Sequence, residues 1–280
     1  MFLPKLGWLR YRNSRQVIGE LKNVTVSERG GKWFISVQTA REVAEPVHAS
    51  ASIVGVDVGV ARLATLSDGT IYEPKNSYRQ GQRRLRHLQR GLSRKIKGSN
   101  NWRKAKTKVQ KLHGKVRDIR RDYLHKTSTA ISKNHAVIVL EDLQVGNMSQ
   151  SAAGSAEQPG TNVKAKSGLN KAILDQGWHE FRRQLEYKQQ WRGGQVIAVE
   201  AKNTSRPCSS CGHVAAENRQ SQSRFACVAC GYIQNADLNA AQNILAAGHA
   251  VLACGEDVRP RATGAASAKH EPAERLRHAA

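Results

Sequence analysis

The sequence predicts an α/β fold, a sheet flanked by helices, with a small metal-binding ribbon and a basic helical hairpin set into it. Three observations lead there. Short apolar runs at residues 53–58, 136–140 and 196–199 alternate with segments of helical periodicity, the pattern of strands and helices packed in layers. Four of the five cysteines stand in two closely spaced pairs. Residues 75–133 hold 20 of the 45 lysines and arginines, with only Asp118 and Asp122 on the acidic side.

Composition bounds the function. With 280 residues and 39% hydrophobic content the chain can bury one sizeable core and a small satellite. A formal charge of +23 points to a polyanionic partner, nucleic acid first. No stretch approaches the ~20 apolar residues of a spanning helix and nothing resembles a signal peptide, so a soluble cytoplasmic protein with no membrane partner is expected. No glycine-rich loop ends in Lys-Ser or Lys-Thr, which excludes a nucleotide-driven motor. No two histidines stand one residue apart, as a tyrosine-type single-strand transposase requires.

Taken in order, residues 17–43 alternate apolar and polar around Arg29-Gly30-Gly31-Lys32 and read as a β-hairpin, part of a small β-barrel unit over 1–50. Met1-Phe2-Leu3-Pro4 opens the chain without an element ahead of that hairpin, and an upstream continuation is expected. Residues 53–58, 63–66 and 71–72 form a three-stranded meander. Leu85, Leu88, Leu92 and Ile96, then Ala105, Val109, Leu112, Val116, Ile119 and Tyr123, form the inner seam of an antiparallel helical hairpin broken at Gly98–Asn101. Trp102 and Tyr123 are assigned to packing rather than base stacking. Ala136–Leu140 reads as a buried strand, residues 148–170 as a mobile loop, and Ile173, Leu174, Trp178, Phe181 and Leu185 as one face of a helix before the strand 196–200. The order of three strands, helices, strand, helix, strand is that of an RNase H-like domain, although periodicity alone also allows other α/β sheets. The expected division is core 51–207 with the hairpin 75–133, ribbon 208–231, core 232–250 and a disordered tail 251–280.

Cys208-x2-Cys211 and Cys227-x2-Cys230, fifteen residues apart, have the spacing of a structural zinc ribbon. Gly212 and Gly231 follow each pair where a knuckle turn needs positive φ. With four thiolates the zinc has no open position and folds the module rather than catalysing. Cys254 is expected to be an inert thiol. Asp57 inside an apolar strand, Glu141 at a strand end and Asp237 ahead of a helix each have an ordinary reading, as a strand terminus or a residue favoured by a helix dipole. Converging, they would repel one another unless a divalent cation screened them, and such a cluster suits two-metal phosphodiester hydrolysis.

The segments Gly55–Val60, Val139–Leu143, Thr204–Gly212 and Asn235–Ile244, in that order, resemble the TnpB (OrfB) family of insertion-sequence proteins, small relatives of the type V CRISPR effectors. The resemblance covers nearly the whole chain to about residue 250. It implies an RNase H-like (RuvC) domain with an inserted zinc ribbon, catalytic acids Asp57, Glu141 and Asp237 holding Mg2+ or Mn2+, and Cys208, Cys211, Cys227 and Cys230 on Zn2+. It also implies DNA as substrate and a guide RNA from the transposon end as partner. Family members carry a helical portion ahead of the first hairpin that grips the guide heteroduplex, and this chain departs from them there. Arg83, Arg84, Arg86, Arg90, Arg94, Lys104, Lys108 and Lys111 are the expected phosphate contacts on the basic hairpin. A Mg2+-dependent endonuclease is the leading reading. The alternative is a truncated or inactive nucleic-acid-binding remnant or regulator that keeps the ribbon and the basic hairpin.

Overall fold

The computed structural model describes residues 2–4, 7–13, 16–201 and 204–254. Two short strands, β1 (Phe2–Leu3) and β2 (Gly7–Trp8), pair antiparallel ahead of the hairpin, where no element was expected. The hairpin is β3 (Glu20–Arg29) and β4 (Lys32–Ala40). Its two-residue turn needs left-handed backbone twice in succession, and Gly30 and Gly31 supply φ of 61° and 80°. The unit stops at two strands. Trp33 is 73% exposed, so the hairpin does not close a barrel among the described residues.

The central sheet has five strands in the order β7-β6-β5-β8-β9. The meander β5 (Ile53–Asp57), β6 (Ala64–Leu66) and β7 (Ile71–Tyr72) is antiparallel. β8 (Val137–Glu141) lies parallel to β5, and β9 (Gln195–Val199) parallel to β8. This is the predicted strand order of use, with a long helical crossover between β5 and β8.

The period of two decides what each face meets. Val54, Val56, Ile138 and Leu140 turn to one core with Leu124, Ile131, Ile173, Trp178, Phe181 and Leu185. Val139, Ile197 and Val199 turn to the opposite face and pack on Ile244. The first group of helices is α1 (Ser77–Ser93), α2 (Asn100–Asn134), α4 (Val163–Gln176) and α5 (Trp178–Gln190), with the single turn α3 (Val145–Met148) after β8. The opposite face belongs to α6 (Ala236–Ala253).

The helical hairpin forms as its seam predicts, with Leu85, Val109 and Val116 buried. Ser99 caps α2, its hydroxyl accepting from the Trp102 amide at 3.2 Å. Tyr123 packs against the main core. Ile96 departs from the seam: it falls between the helices, where the period is broken, and is 83% exposed. Asp175 performs a task not visible in the sequence. Buried on α4, it accepts from the amides of Tyr78 and Arg79 and caps α1, whose own N-cap residue Asn76 makes no side-chain capping bond and instead accepts from the Gln176 amide. Lys188 is likewise buried, donating to Ser128 and Thr129 hydroxyls at 2.6 and 2.8 Å, and burial pushes its pKa down to about 8.

The loop expected over 148–170 is shorter, because α4 starts at Val163. The helix expected beyond it is two helices: Gly177, at φ 72°, breaks the chain between α4 and α5. The change of direction removes Leu174 from the apolar face and leaves it 54% exposed. At the other end α6 runs to Ala253, so the expected tail does not begin at 251; residues 255–280 lie outside the described residues. Among the described residues no helix is long and apolar enough to cross a membrane.

Helix α6 crosses β5 at backbone distance. A Cβ on Gly55 would stand 2.2 Å from the Ala241 carbonyl oxygen and 2.6 Å from the Leu245 nitrogen. Gly91, by contrast, sits on α1 with open space around its missing side chain. Gly55→Ala is therefore expected to destabilise the fold by ~3 kcal/mol or more, since backbone cannot yield as a side chain does. Gly91→Ala is expected to stabilise it by ~0.5–1 kcal/mol through helix propensity. Urea denaturation of the two variants checks both signs.

Candidate active site and metal centre

Strand parity and register bring the first two carboxylates together. Gly55 pairs with Val139 and Val56 with Leu140 across the parallel ladder, so Asp57 and Glu141 end adjacent strands side by side. Sharing parity with Gly55 and Val139, both face the side covered by α6. There Asn235 caps α6, its side-chain oxygen accepting from the amides of Asp237 at 3.1 Å and Leu238 at 3.4 Å. The cap sets Asp237 in the first turn, facing the strand ends. Asp57, Glu141 and Asp237 all line one cavity of about 280 Å³.

The surroundings of these acids were not legible in the sequence. The Thr204 hydroxyl donates to Glu141. Arg62, on the turn after β5, donates to the Asn235 side chain at 3.1 Å and lies 3.8 Å from Asp237. Arg219, from the ribbon, also lines the cavity. Only their motif neighbours, Thr204 in the segment before Cys208 above all, gave a signal that could have singled them out.

Electrostatics register the crowding. Burial raises the Asp57 pKa to about 7, and the charges of Glu141 and Asp237 push the same way while Arg219 partly offsets them. Burial also raises Glu141, against the hydrogen bond from Thr204. The three carboxylates are near enough to couple but are not in mutual ligand contact. Among the described residues, only the four cysteines bring three or more such ligand atoms within 4.8 Å of one another. Three carboxylates lining one cavity are an oxygen donor set that fits a divalent cation.

Asp142, one residue on, has opposite parity. It turns toward α5 and pairs with Arg182, which also donates to Glu186 at 2.9 Å. Glu141 and Asp142 thus face different sides of the strand end, as period two requires.

The cysteines form the second centre. Sγ of Cys208 lies 3.8 Å from that of Cys230, and Cys211 3.6 Å from Cys227. Tetrahedral zinc with bonds of ~2.3 Å separates its sulfurs by about 3.8 Å, so the donor set fits that ion. Each knuckle is built as expected: the Gly212 and Gly231 amides donate to the carbonyls of Cys208 and Cys227, at φ 76° and 72°. β10 (Arg224–Ala226) and β11 (Ile233–Asn235) complete the ribbon, and β11 runs straight into α6. The join is reinforced by two amides one helical turn apart on α6. Asn239 accepts from the Ser209 amide and donates to the Pro207 carbonyl, and Asn243 donates to the carbonyls of Thr204 and Pro207. Cys254 stands apart and exposed at the end of α6.

The eight basic residues of the hairpin, Arg83, Arg84, Arg86, Arg90, Arg94, Lys104, Lys108 and Lys111, are all exposed. Trp102 is half-buried with the Lys106 ammonium 5.0 Å above its ring.

Residues 24–152 match a family model described as probable transposase, OrfB of the IS605 type, and residues 178–244 match the Cas12f1-like TNB domain. The chain is 64% identical over 276 residues to a protein of Escherichia coli (strain K12) named "Putative RNA-guided DNA endonuclease InsQ", covering 99% of this chain and 68% of that one. It is 38% identical over 261 residues to a protein of Streptomyces pristinaespiralis with the same designation apart from InsQ, covering 90% of this chain and 60% of the relative. The solved complex of Cas12f1 with guide RNA and target DNA aligns with a TM-score of 0.47 at 18% identity, over 79% of this chain and 55% of that one. The chain thus spans about two thirds or less of the length of these relatives.

Two outcomes follow from this geometry. Purified protein is expected to carry about one zinc ion per chain, and Cys208→Ser to lower soluble yield, because ligation contributes folding free energy directly; elemental analysis of folded protein checks it. Asp57 titrates in the fold at about 7 against an ordinary 3.8. The folded state therefore favours its neutral form, a contribution complete below pH ~4 and lost as pH rises toward ~7. In buffer without added divalent cation, Asp57→Asn is expected to match the unsubstituted protein near pH 4. By pH 8 it is expected to exceed it by roughly 2–4 kcal/mol in urea unfolding.

Proposed function

The chain belongs to the TnpB (OrfB) family of insertion-sequence proteins, and from that membership we propose that it carries the cleavage machinery of a transposon-encoded, RNA-guided DNA endonuclease. One observation supports this above the others: three carboxylates from β5, β8 and α6 line a single cavity in a protein of charge +23. Three clustered negative charges repel a phosphodiester, and in a binding protein they would have no use. In a nuclease they are the means of holding metal.

Asp57, Glu141 and Asp237 would hold Mg2+ or Mn2+, which when bound supplies an activated water and offsets charge developing on the phosphate and the departing 3′ oxygen. The chain's own groups do the rest. Burial of Asp57 among its neighbours keeps its affinity for a cation high, since every charge that disfavours its ionised form is relieved by a positive ion. Thr204 fixes one oxygen of Glu141 by hydrogen bond, so the carboxylate keeps its orientation. Arg62 ties the turn after β5 to the cap of α6, and with it Asp237. Arg219 brings a positive charge from the ribbon to the cavity wall, where a scissile phosphate would lie. The exposed arginines and lysines of α1 and α2 would hold the guide RNA and its DNA target through their phosphates. The four cysteines would bind a structural Zn2+ that stiffens the ribbon delivering Arg219.

The decisive assay combines the protein, a guide RNA from the transposon end, a DNA target, Mg2+ and the remaining portion of the longer relatives. Asp57→Ala, Glu141→Ala and Asp237→Ala are each expected to lower the cleavage rate by orders of magnitude with little change in target binding. Two together are expected to cost hardly more than one, because residues acting as a unit are not additive. Glu157→Gln, an exposed carboxylate outside the cavity, serves as control. Cleavage surviving in Asp57→Ala would refute the assignment.

A further inference from the structure

A second cavity, of about 460 Å³, opens on the other side of the same strand end. Val58, Glu141 and Leu143 line both cavities, so the two adjoin across the tip of β8. The second is walled by Trp178 and Phe181 of α5 and by Leu140, all buried. Its rim is charged but internally compensated. Arg182 bonds Asp142 and Glu186, and Arg183 bonds Glu180 through two nitrogens, each at 2.8 Å. A phosphate would find no unpaired arginine here. An uncharged planar group would find an apolar wall, the unused donors of the Arg182 fork, and carboxylate oxygens as acceptors.

We propose that this cavity receives a nucleobase of the strand being cut, from a nucleotide next to the scissile phosphate. The inference rests on the nuclease reading and extends it to how the substrate is seated. With the phosphate at Asp57 on the α6 side and the base lodged on the α5 side, the strand straddles the end of β8. A duplex cannot present its backbone and an extruded base in this way without unstacking, so the pocket selects a single strand. The size is that of a small-ligand pocket, ~300–1,000 Å³. Asp142 and Arg182 are then positioned to read the edge of the base, which gives the ion pair beside Glu141 a role in substrate choice.

Gly146, on the rim, has open space where a side chain would start. Gly146→Phe therefore places a bulky ring at the cavity rim, where it is expected to obstruct entry, without displacing backbone and with the buried Trp178 left intact. The test uses the full chain with single-stranded DNA oligonucleotides in Ca2+, each carrying 2-aminopurine or an abasic site at one position in turn. One position is expected to change 2-aminopurine fluorescence on binding. An abasic site at that position is expected to weaken binding roughly tenfold, equivalent to ~1.4 kcal/mol of lost stacking. In Gly146→Phe the fluorescence response is expected to vanish and the intact and abasic strands to bind alike. No responsive position, or a response unchanged by Gly146→Phe, overturns the proposal. Cleavage in Mg2+, measured in parallel, tests the nuclease reading separately, since base insertion in Ca2+ does not depend on turnover.

Discussion

Helix α6 lies against the central strand at a distance that only glycine permits, and the geometry of the carboxylate cavity depends on that approach. Gly55 removes the Cβ that would strike the Ala241 carbonyl, and Gly248 removes one that would strike the Val139 side chain. With the helix so close, its first turn comes level with the ends of β5 and β8, and Asp237 joins Asp57 and Glu141 at one cavity. The same helix carries Asn239 and Asn243, whose amides hold the loop from Thr204 to Ser209. Sheet, clustered carboxylates and ribbon therefore share a single reference. A rotation of α6 would disturb all three together, which explains why Asn235 both caps the helix and bonds Arg62 from the turn after β5.

Charge is distributed in the opposite sense to the net. The surface is strongly basic, yet a cavity at the strand ends gathers three carboxylates. In the proposed function the basic surface would raise the local concentration of nucleic acid over a wide area. The acidic cavity would exclude its phosphates unless a cation intervened, so that binding and chemistry would be separated in space. The raised pKa of Asp57 is the trace of this arrangement in the protein alone: burial and two like-charged neighbours act on a group that a divalent ion would relieve.

The polar groups of the interior serve orientation. Asp175 closes the N-terminus of α1 from another helix, and Lys188 threads between α2 and α5 onto hydroxyls and a carbonyl. Each is a buried group with its bonds made, so each fixes a relative placement of helices that apolar packing alone leaves free to slide. Lys188 thereby ties α5 to α2, and α5 carries Trp178 and Arg182 to the far side of the β8 tip.

Much of this was written in local order along the chain. Short apolar runs marked the sheet strands, alternation marked the first hairpin, the 4-3 spacing marked the helical hairpin, and paired cysteines with following glycines marked the ribbon, because each depends on neighbours a few residues away. The candidate acids stood out for the same reason, a carboxylate being conspicuous in an apolar run. Local pattern misled where backbone conformation intervened: at Gly177, which splits one apparent helix into two and turns Leu174 outward, and at Ile96, where the period outlasts the helix. The sequence by itself determined which residues are candidates for the chemistry and which element each belongs to. Only the tertiary structure decided that Asp57, Glu141 and Asp237 meet, that Arg62, Thr204 and Arg219 attend them, and that a second cavity lies behind Glu141. Those contacts join residues far apart in the chain, and they follow from strand register and from how closely one helix can approach a glycine.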